Sequence, residues 1–393
     1  MTDVADTLVL TADEVVATAA RIGREVLAVH ADAVDAGSRF PAEAVAALRE
    51  VGLLGALVPV ELGGLGQSLE TVARAVTELG KHCSSAAMVF AMHQIQVACL
   101  VDHGHTPVLR AYTERVAREG LLLASATTEV GTGGDVRSSS CAVEVTGDSY
   151  RLRKQAPVIS YGEHADGVLA TSRRTPDSPP SDQVLVVCRT EQTTLEPTSE
   201  WDVLGFRGTC SLGFVLTSTG SVEEILPVPY GDISSQTMLP VSHVLWSSLW
   251  FGMASAAEQR ARKFVQGAAR RTPGTLPPSA ARLAELAAVH QQFRDLVEGG
   301  RRRYAAARQD PGSATSVGYA IAMNTLKVSA STLVVDVVQR SLLICGMAGY
   351  ATKSPFSLGR LLRDSYGAQL MVNNDRIHAN NSQLLLMHRS EGT

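Results

Sequence analysis

The chain has 393 residues, of which 45% are hydrophobic and 19% charged, and its formal net charge is −4. This profile argues against a disordered chain, and the slightly acidic balance favours neither nucleic acid nor an anionic membrane as a partner. The six cysteines form no CxxC pair and no Cys/His spacing of a zinc or iron–sulfur site. The first residues, "MTDVADTLVLTADEVV", carry acids where a secretion signal needs bases. We therefore expect a cytoplasmic protein without a metal or a membrane span.

The first part of the chain has helical periodicity, from Ala12 to about Arg118. The segment "PAEAVAALREVG" places Pro41 at a helix start and Gly52 at its end, and "LETVARAVTELG" repeats that plan. The glycine-rich "VPVELGGLGQS" between them is typical of a turn. The pattern predicts an N-terminal α-helical domain over residues 1–118.

Short β-branched segments follow from about Leu121. They are "LLLASATTEV", "CAVEVTGDSYRLR", "GVLATSRR", "QVLVVCRT" and "CSLGFVLTST". Such a run, with "TPDSPPSDQ" as a hairpin loop, predicts antiparallel strands rather than βαβ units. The prediction is a middle β domain over residues 119–235.

Helical periodicity returns from about Val241. It is interrupted by "RRTPGTLPPS" (270–279) and "QDPGSATS" (309–316), which are predicted loops between helices. The prediction is a C-terminal helical domain over residues 236–393. The fold class is therefore α+β with several domains.

One turn between strands has the chemistry of a ligand site. The stretch "ASATTEVGTGGDVRS" (124–138) offers free backbone N–H groups and small hydroxyls. These groups suit a phosphate or the pyrimidine edge of a flavin, although glycine-rich turns without a ligand are also common.

Several segments, in one order, resemble the acyl-CoA dehydrogenase family. The opening helices, "TTEVGTGGDV", "VLGFRGTCS", "AARRTPGT" and "CGMAGYATKSPFSLGRLLRD" resemble family segments from about residue 24 to 377. The resemblance implies an N-terminal helical domain, a middle β domain and a C-terminal four-helix bundle. It also implies FAD between the β domain and the bundle, with part of its site supplied by another subunit of a homodimer or homotetramer.

The resemblance assigns cofactor roles to individual residues. Thr128 would face the flavin pyrimidine, Gly133 would belong to the same glycine-rich turn of the site, and Ser160 would stand where a family Thr bonds flavin N5. Arg270 would contact the FAD phosphates across the subunit boundary. Gly346 and Gly349 would let the backbone approach the dinucleotide of the neighbour. Rigid strand hydroxyls and amides suit an isoalloxazine that must be held dry and hydrogen-bonded.

The chain departs from the family pattern where catalysis would be expected. Aligned through Arg363-Asp364, the family's catalytic Glu falls on Val372, and its preceding aromatic on Met371. The other place where relatives carry the base, "LWSSLW", has no carboxylate either. Val158 replaces an aromatic beside the flavin, and Gly134 replaces a Ser, which leans away from tightly held CoA.

Three residues are candidate catalytic bases. If 372–382 is helical, Asp375 and His378 lie one and two turns from Val372 on roughly one face. His93, in "FAMHQIQ", is the third. Each also has a structural interpretation: Asp375 in an ion pair with Arg376, His378 as a surface or interface residue, and His93 as a packed histidine.

Two enzymatic hypotheses and a non-enzymatic one follow. The first is an FAD-dependent dehydrogenase of an acyl-CoA or acyl-carrier-protein thioester. Hydride would pass to flavin N5, with Asp375 as the relocated base and an electron-acceptor flavoprotein or oxygen as the next partner. The second is a monooxygenase of the same fold that oxidises amines, sulfur or phenols through a C4a-hydroperoxide and needs no thioester base. The third is a catalytically silent flavin-binding scaffold.

Overall fold

The computed structural model describes residues 10–131 and 136–387, and the predicted cofactor residue Gly133 lies outside these ranges. Helices form the first part of the chain. Thr11 and Glu14 cap the first helix reciprocally, and a π-helical turn at Gly23–Leu27 carries it into the second. The helices are α1 (Ala12–Ile22), α2 (Ala28–Ala36), α3 (Ala42–Glu50), α4 (Leu69–Gly80), α5 (Ser84–His103) and α6 (Pro107–Arg118).

Strands follow and form two sheets in the middle of the chain. Their orders are β1-β4-β5 and β2-β3-β7-β6. The strands are β1 (Leu123–Ala126), β2 (Val143–Thr146), β3 (Ser149–Ala156), β4 (Gly167–Arg173), β5 (Gln183–Arg189), β6 (Thr193–Pro197) and β7 (Phe214–Ser221). Strand β3 alternates exposed and buried residues along its length, as a sheet with one covered face requires.

The predicted all-antiparallel pairing is wrong for one pair of strands. β1 pairs with β4 in parallel, with Leu123 opposite Gly167. Between these two strands the chain leaves the sheet and forms the β2–β3 hairpin of the other sheet, so they are not hairpin neighbours. The predicted strands also do not include β6, a short edge strand that ends at Pro197. The predicted hairpin between β4 and β5 is present.

A bundle of long helices completes the fold. Helices α8, α9 and α11 pack on one another, α13 packs on α8 and α11, and α14 packs on α11. Helix α4 also packs closely on α8, which joins the N-terminal helices to the bundle. The helices are α7 (Tyr230–Ile233), α8 (Leu239–Arg271), α9 (Ala280–Gln309), α10 (Pro311–Ala314), α11 (Val317–Cys345), α12 (Met347–Tyr350), α13 (Gly359–Leu370) and α14 (Asn374–Met387).

In the described ranges, α5 and α11 are long and apolar enough to cross a membrane by length and composition alone. The apolar stretch of α5 is 89% buried, which is the burial of a core helix in a folded protein. That of α11 is only 44% buried. Much of the apolar surface of α11 is therefore uncovered in a single chain.

Candidate functional site

A cavity of about 590 Å³ lies where all three parts of the chain meet. We call it the main cavity. Its walls come from α5, the ends of β1 and β3, the loop after β6, α8, α13 and the turn after α13. The lining includes Met88, Met92, Ile95, Gln96, Ser125, Thr127, Thr128, Val158, Ser160, Trp201, Gly205, Phe206, Ser211, Trp246, Arg363, Tyr366, Leu370, Met371 and Val372.

Helix α5 supplies one apolar wall. Met88, Met92 and Ile95 recur at helical spacing, so they share one face, and Gln96 lies beside them. Gln96 is buried, and its side-chain oxygen has no hydrogen-bond partner in the described part of the chain. This wall is apolar apart from one amide group.

The β domain supplies a row of hydroxyls on the opposite wall. Ser211 donates a hydrogen bond to Ser160 (Oγ–Oγ 2.8 Å), and the Thr209 Oγ1 lies 2.8 Å from the Ser211 Oγ. Ser160 itself donates to no residue in the described ranges, so its hydroxyl hydrogen is available to a group in the cavity. Thr128 also lines the cavity and donates weakly to the carbonyl of Val158 at 3.4 Å. The wall therefore presents an oriented donor at Ser160.

The turn between α13 and α14 forms a third wall. Val372 lines the cavity with φ 44°, a left-handed conformation that is unusual for a β-branched residue. Lys327, fully buried on α11, donates to Asn374 Oδ1 at 2.7 Å and to the Val372 carbonyl at 3.4 Å. Burial lowers the pKa of Lys327 to about 8. The buried Lys327 side chain thus stabilises this turn through its hydrogen bonds.

A loop around Gly205 closes the cavity against α13. The Phe206 N–H donates to Asp364 Oδ1 at 2.6 Å, and Arg363 donates to the Leu204 carbonyl at 3.0 Å. Arg363 also forms an ion pair with Asp35 of α2. Burial raises the pKa of Asp364, whose carboxylate is already used to hold this loop. These contacts join all three parts of the chain.

Backbone strain is concentrated around the main cavity. Within the described ranges, Phe206 and Val372 have positive φ and line the cavity. Tyr161 and Cys210 also have positive φ, and each is next in the chain to a lining serine. Non-glycine residues in this conformation cost about 1–3 kcal/mol each and cluster at functional sites. The strain marks the cavity as a site that the surrounding structure holds in shape.

The cavity is nearly free of ionisable groups. Among its described lining residues there is no Asp, Glu, His, Lys or Cys. The one charged side chain on that lining is Arg363, and Asp35 neutralises it. The described walls therefore hold no carboxylate or imidazole that could remove a proton from a substrate.

The structure does not bring His93, a predicted catalytic base, to the main cavity. Its side chain is completely buried, and it is not among the residues that line the main cavity. Both ring nitrogens are occupied: Nε2 lies 2.8 Å from the Leu54 carbonyl, and the Leu123 N–H donates to Nδ1 at 3.0 Å. Burial lowers the pKa of His93 to about 4. His93 ties α5 to β1 as a neutral residue.

The shared face predicted for Val372, Asp375 and His378 is also wrong. Helix α14 begins at Asn374, so Val372 lies in the preceding turn instead of on the helix. Asp375 and His378 are exposed and are not among the lining residues. In a single chain they face solvent, and neither is positioned to act in the main cavity. Val372, which the resemblance aligns with the catalytic position, lines the main cavity.

The remaining predicted cofactor residues divide into two groups. Thr128 and Ser160 lie together in the main cavity. Arg270, at the end of α8, and Gly346 and Gly349, at the end of α11, lie outside it. Arg270 is exposed and makes no ion pair or hydrogen bond with a described residue. Gly346 has φ 56° and ψ −136°, which suits glycine.

The main cavity fits the ring of a flavin. Its volume of about 590 Å³ lies within the usual range of ligand sites, and it combines apolar walls with a few fixed polar groups. Ser160 supplies the free donor, and Thr128 a second hydroxyl on the same wall. The donor set is thus that expected for the nitrogens and carbonyls of an isoalloxazine.

Gln96 and Tyr366 line the cavity although the sequence did not single them out. Gln96 lies one turn after His93, and it shares a helix face with Met88 and Met92, which is the sequence signal for it. Tyr366 lies on α13, and nothing in its own sequence pattern distinguishes it from an exposed tyrosine.

Two family models match the chain. The N-terminal domain of acyl-CoA dehydrogenase matches residues 11–120, and its C-terminal domain matches residues 234–381. Together they cover well over half of the sequence, in the same order as the structural parts. The chain belongs to the acyl-CoA dehydrogenase family. The resemblance noted in the sequence is thereby confirmed. Members of this family are flavin-dependent oxidoreductases.

Curated relatives differ in how much of the chain they match. Cyclohex-1-ene-1-carbonyl-CoA dehydrogenase of Syntrophus aciditrophicus (strain SB) is 31% identical over 141 residues, 36% of this chain and 34% of that protein. In three further relatives the aligned part spans 36–49% of the relative's length. The amino sugar nitrososynthase DnmZ of Streptomyces peucetius is 28% identical over 348 residues, 84% of this chain and 82% of that protein.

Solved structures share the whole fold. Dibenzothiophene monooxygenase TdsC from Paenibacillus sp. A11-2 superposes with a TM-score of 0.80 and 20% identity, covering 96% of this chain and 98% of that one. Butyryl-CoA dehydrogenase from Megasphaera elsdenii gives a TM-score of 0.80 and 17% identity, with coverage of 98% and 100%. At these identities the likeness establishes the fold of this acyl-CoA dehydrogenase family member and leaves its reaction open.

Proposed function

We propose that this protein is a flavin-dependent monooxygenase that oxygenates an uncharged, largely apolar substrate in the main cavity. The observation that carries the proposal is the lining: its described residues include no carboxylate or histidine, and they include Val372, the residue that the sequence resemblance aligns with the family base. Abstraction of an α-proton from a thioester needs a base within hydrogen-bond reach, whereas oxygen transfer to nitrogen, sulfur or an aromatic ring does not. Of the two enzymatic hypotheses drawn from the sequence, the described lining therefore favours the monooxygenase over the dehydrogenase.

The chemistry balances with reduced flavin and O₂ as co-reactants. A reduced flavin supplies two electrons, so that one oxygen atom enters the substrate and the other leaves as water. The chain's own part is to orient donors and exclude water. Ser160, with Ser211 donating to it, holds a proton at Oγ that can hydrogen-bond a polar atom in the cavity. Met88, Met92 and Phe206 line the cavity with apolar surface, which strengthens such a bond.

The cavity walls indicate the class of substrate. Its described lining offers no unpaired charge, since Arg363 is neutralised by Asp35. Apolar side chains, methionines and aromatic rings among them, form most of the surface, and Gln96 and Tyr366 add neutral polar groups. A substrate with a ring or a bulky apolar part and one oxidisable nitrogen, sulfur or phenol suits this lining. The match to an amino sugar nitrososynthase over most of the chain supports a reaction of this class.

We propose FAD as the flavin, bound with the help of a second copy of the chain. The exposed Leu343, Met347 and Tyr350 surround Gly346, and this end of α11 is uncovered in one chain. A second copy that covers it would bring Arg270 and Gly346 toward the dinucleotide. Release of the cofactor by heat, followed by chromatography, distinguishes FAD from FMN. Multi-angle light scattering tests for a homodimer or homotetramer.

A dehydrogenase of an acyl thioester is the second candidate. It is favoured by the matches to cyclohex-1-ene-1-carbonyl-CoA dehydrogenase, which cover about a third of the chain. On this alternative the base would come from outside the described lining, for example from Asp375 of another copy.

One pair of reactions decides between the two candidates. The flavin-loaded protein is first mixed without oxygen with a panel of acyl-CoA thioesters. The same preparation is then given a flavin reductase, NADH, ¹⁸O₂ and a panel of neutral amines, thioethers, sulfur heterocycles and phenols.

Incorporation of one ¹⁸O atom into an organic product, without flavin bleaching by any thioester, is the expected result. Bleaching by a thioester within one turnover, with no labelled product, would replace the monooxygenase with the dehydrogenase. Asp375→Asn would then test the relocated base.

A further inference from the structure

A second cavity lies between the N-terminal helices and the bundle. It has a volume of about 370 Å³, and it is lined by the start of α4, the last turns of α5, α8 and the C-terminal half of α9. On α5, Ala98 and Val101 face this cavity, while Met92 and Ile95 face the main cavity. The two cavities therefore use different faces of one helix, and nothing in the proposed oxygenation uses the second.

Arg301 is the central polar residue of this second cavity. Its guanidinium donates to Thr77 Oγ1 at 2.7 Å and to Ser248 Oγ at 3.1 Å, both neutral acceptors. In the described part of the chain it has no carboxylate partner, and its Nη1 donates to no described residue. Burial lowers the pKa of Arg301 to about 10. A largely buried cation with unused donors faces a cavity large enough for a small molecule.

Tyr304 gives a second, independent unused group. It lies on α9 almost one turn after Arg301, is 9% exposed and lines the same cavity. Its hydroxyl forms no hydrogen bond within the described ranges, although buried phenols usually find a partner. The Arg301 Nη1 and the Tyr304 hydroxyl are thus two donors on one helix face that have no acceptor in the described part of the chain.

The other charges of the second cavity are already used or lie at its edge. Asp102 accepts two hydrogen bonds from Arg308, at 2.8 and 3.0 Å, and one from Thr237 at 2.8 Å. Glu298 and Glu70 attract Arg301 electrostatically without forming an ion pair with it, and both are exposed, where water screens their charge. The positive charge of Arg301 therefore remains available for an anion. Val101 and Val244 supply apolar wall beside it.

We propose that the second cavity binds a small monocarboxylate, with its carboxylate on Arg301 and Tyr304 and its aliphatic part against Val101 and Val244. A carboxylate matches the guanidinium geometry and accepts from the phenol as well. The apolar wall distinguishes such a ligand from an inorganic anion.

The test uses the purified full-length protein with hexanoate as the probe, followed by isothermal titration calorimetry and thermal shift. Hexanamide is the uncharged control, and inorganic phosphate is the control without an aliphatic part. Tyr304→Phe removes one donor without disturbing a described bond, and Ala305→Phe fills the cavity from α9. Arg301→Gln removes the charge, and the exposed Arg303→Gln on the same helix is its matched control.

We expect hexanoate to bind and to raise the unfolding temperature. Tyr304→Phe should weaken binding roughly tenfold, as the loss of one hydrogen bond to a charged group does. Arg301→Gln and Ala305→Phe should abolish binding, and Arg303→Gln should leave it within about twofold of wild type. If Arg301→Gln fails to fold, hexanoate binding to Tyr304→Phe and Ala305→Phe tests the proposed site, because both variants leave the hydrogen bonds of Arg301 in place.

Three results would overturn the proposal. They are no binding of hexanoate, equal binding by hexanamide or phosphate, and binding that survives Ala305→Phe. The last result would place hexanoate elsewhere, for instance in the main cavity. None of these outcomes bears on the ¹⁸O experiment, so the two proposals fail separately.

Discussion

Replacing Gly205 with alanine gives a sharp test of how the main cavity is built. Gly205 lies in the loop that closes the cavity against α13, and its φ is not positive, so alanine suits its backbone conformation. The added Cβ would lie 2.5 Å from the Arg363 carbonyl carbon and 2.7 Å from the Asp364 nitrogen. Both atoms are helix backbone and cannot rotate away. The loop must therefore move off α13.

The expected cost follows from the contacts that this movement breaks. Overpacking costs about 1–3 kcal/mol. Loss of the bond from Phe206 N–H to Asp364 adds about 1.5–3 kcal/mol, since the acceptor is charged and buried. Together these give a loss of roughly 3–5 kcal/mol in the free energy of unfolding. For a chain of this size, that lowers the unfolding temperature by about 5 °C.

Differential scanning fluorimetry of Gly205→Ala beside Gly299→Ala measures this effect. Gly299 lies inside α9, and a Cβ there would meet nothing within 4 Å. Alanine at that position should stabilise the protein by up to about 1 kcal/mol. Gly205→Ala should also lose flavin on gel filtration, because the displaced loop carries part of the cavity wall. An unfolding temperature within 1 °C of wild type, with flavin retained, would refute the reasoning.

Three further predictions concern buried polar groups. His93 has a folded-state pKa of about 4 against 6.5 in the unfolded chain, so stability falls as pH drops below 6.5. Between pH 7 and pH 5 the loss should be about 2 kcal/mol, measured by urea unfolding, and His93→Gln should remove this dependence. Lys327 has a folded-state pKa of about 8 against 10.5, so its charge is disfavoured in the folded protein and stability rises with pH above 8. From pH 7 to 9.5 the gain should be about 2 kcal/mol relative to Lys327→Met, and parallel curves for the two proteins would contradict it. Ser160→Ala should slow ¹⁸O incorporation roughly 100-fold while flavin affinity changes less than about tenfold, and an unchanged rate would remove Ser160 from the site.

The sequence predicted the plan of the fold better than the contents of the site. Periodicity and turn residues located the helical and β regions because these signals are local. The parallel pairing of β1 with β4 was missed, since it depends on where the chain returns after the β2–β3 hairpin. Motif resemblance selected Thr128, Ser160 and Val372, and all three line one cavity. His93 failed because a residue's position along α5 does not reveal which face meets the cavity, and both ring nitrogens bond backbone groups distant in sequence.

The left-handed Phe206 has a consequence for how the protein acquires its cofactor. Its conformation is held by Asp364 of α13 on one side, while its carbonyl accepts from Thr209 and Trp201 on the other. A strained residue relaxes when its restraints are absent, so we expect this wall of the cavity to form only once the β domain has docked on the bundle. A ligand of the main cavity therefore binds the docked chain and stabilises it by mass action. Cells that lack the flavin should accumulate less of the protein, with its domain junctions open to proteases.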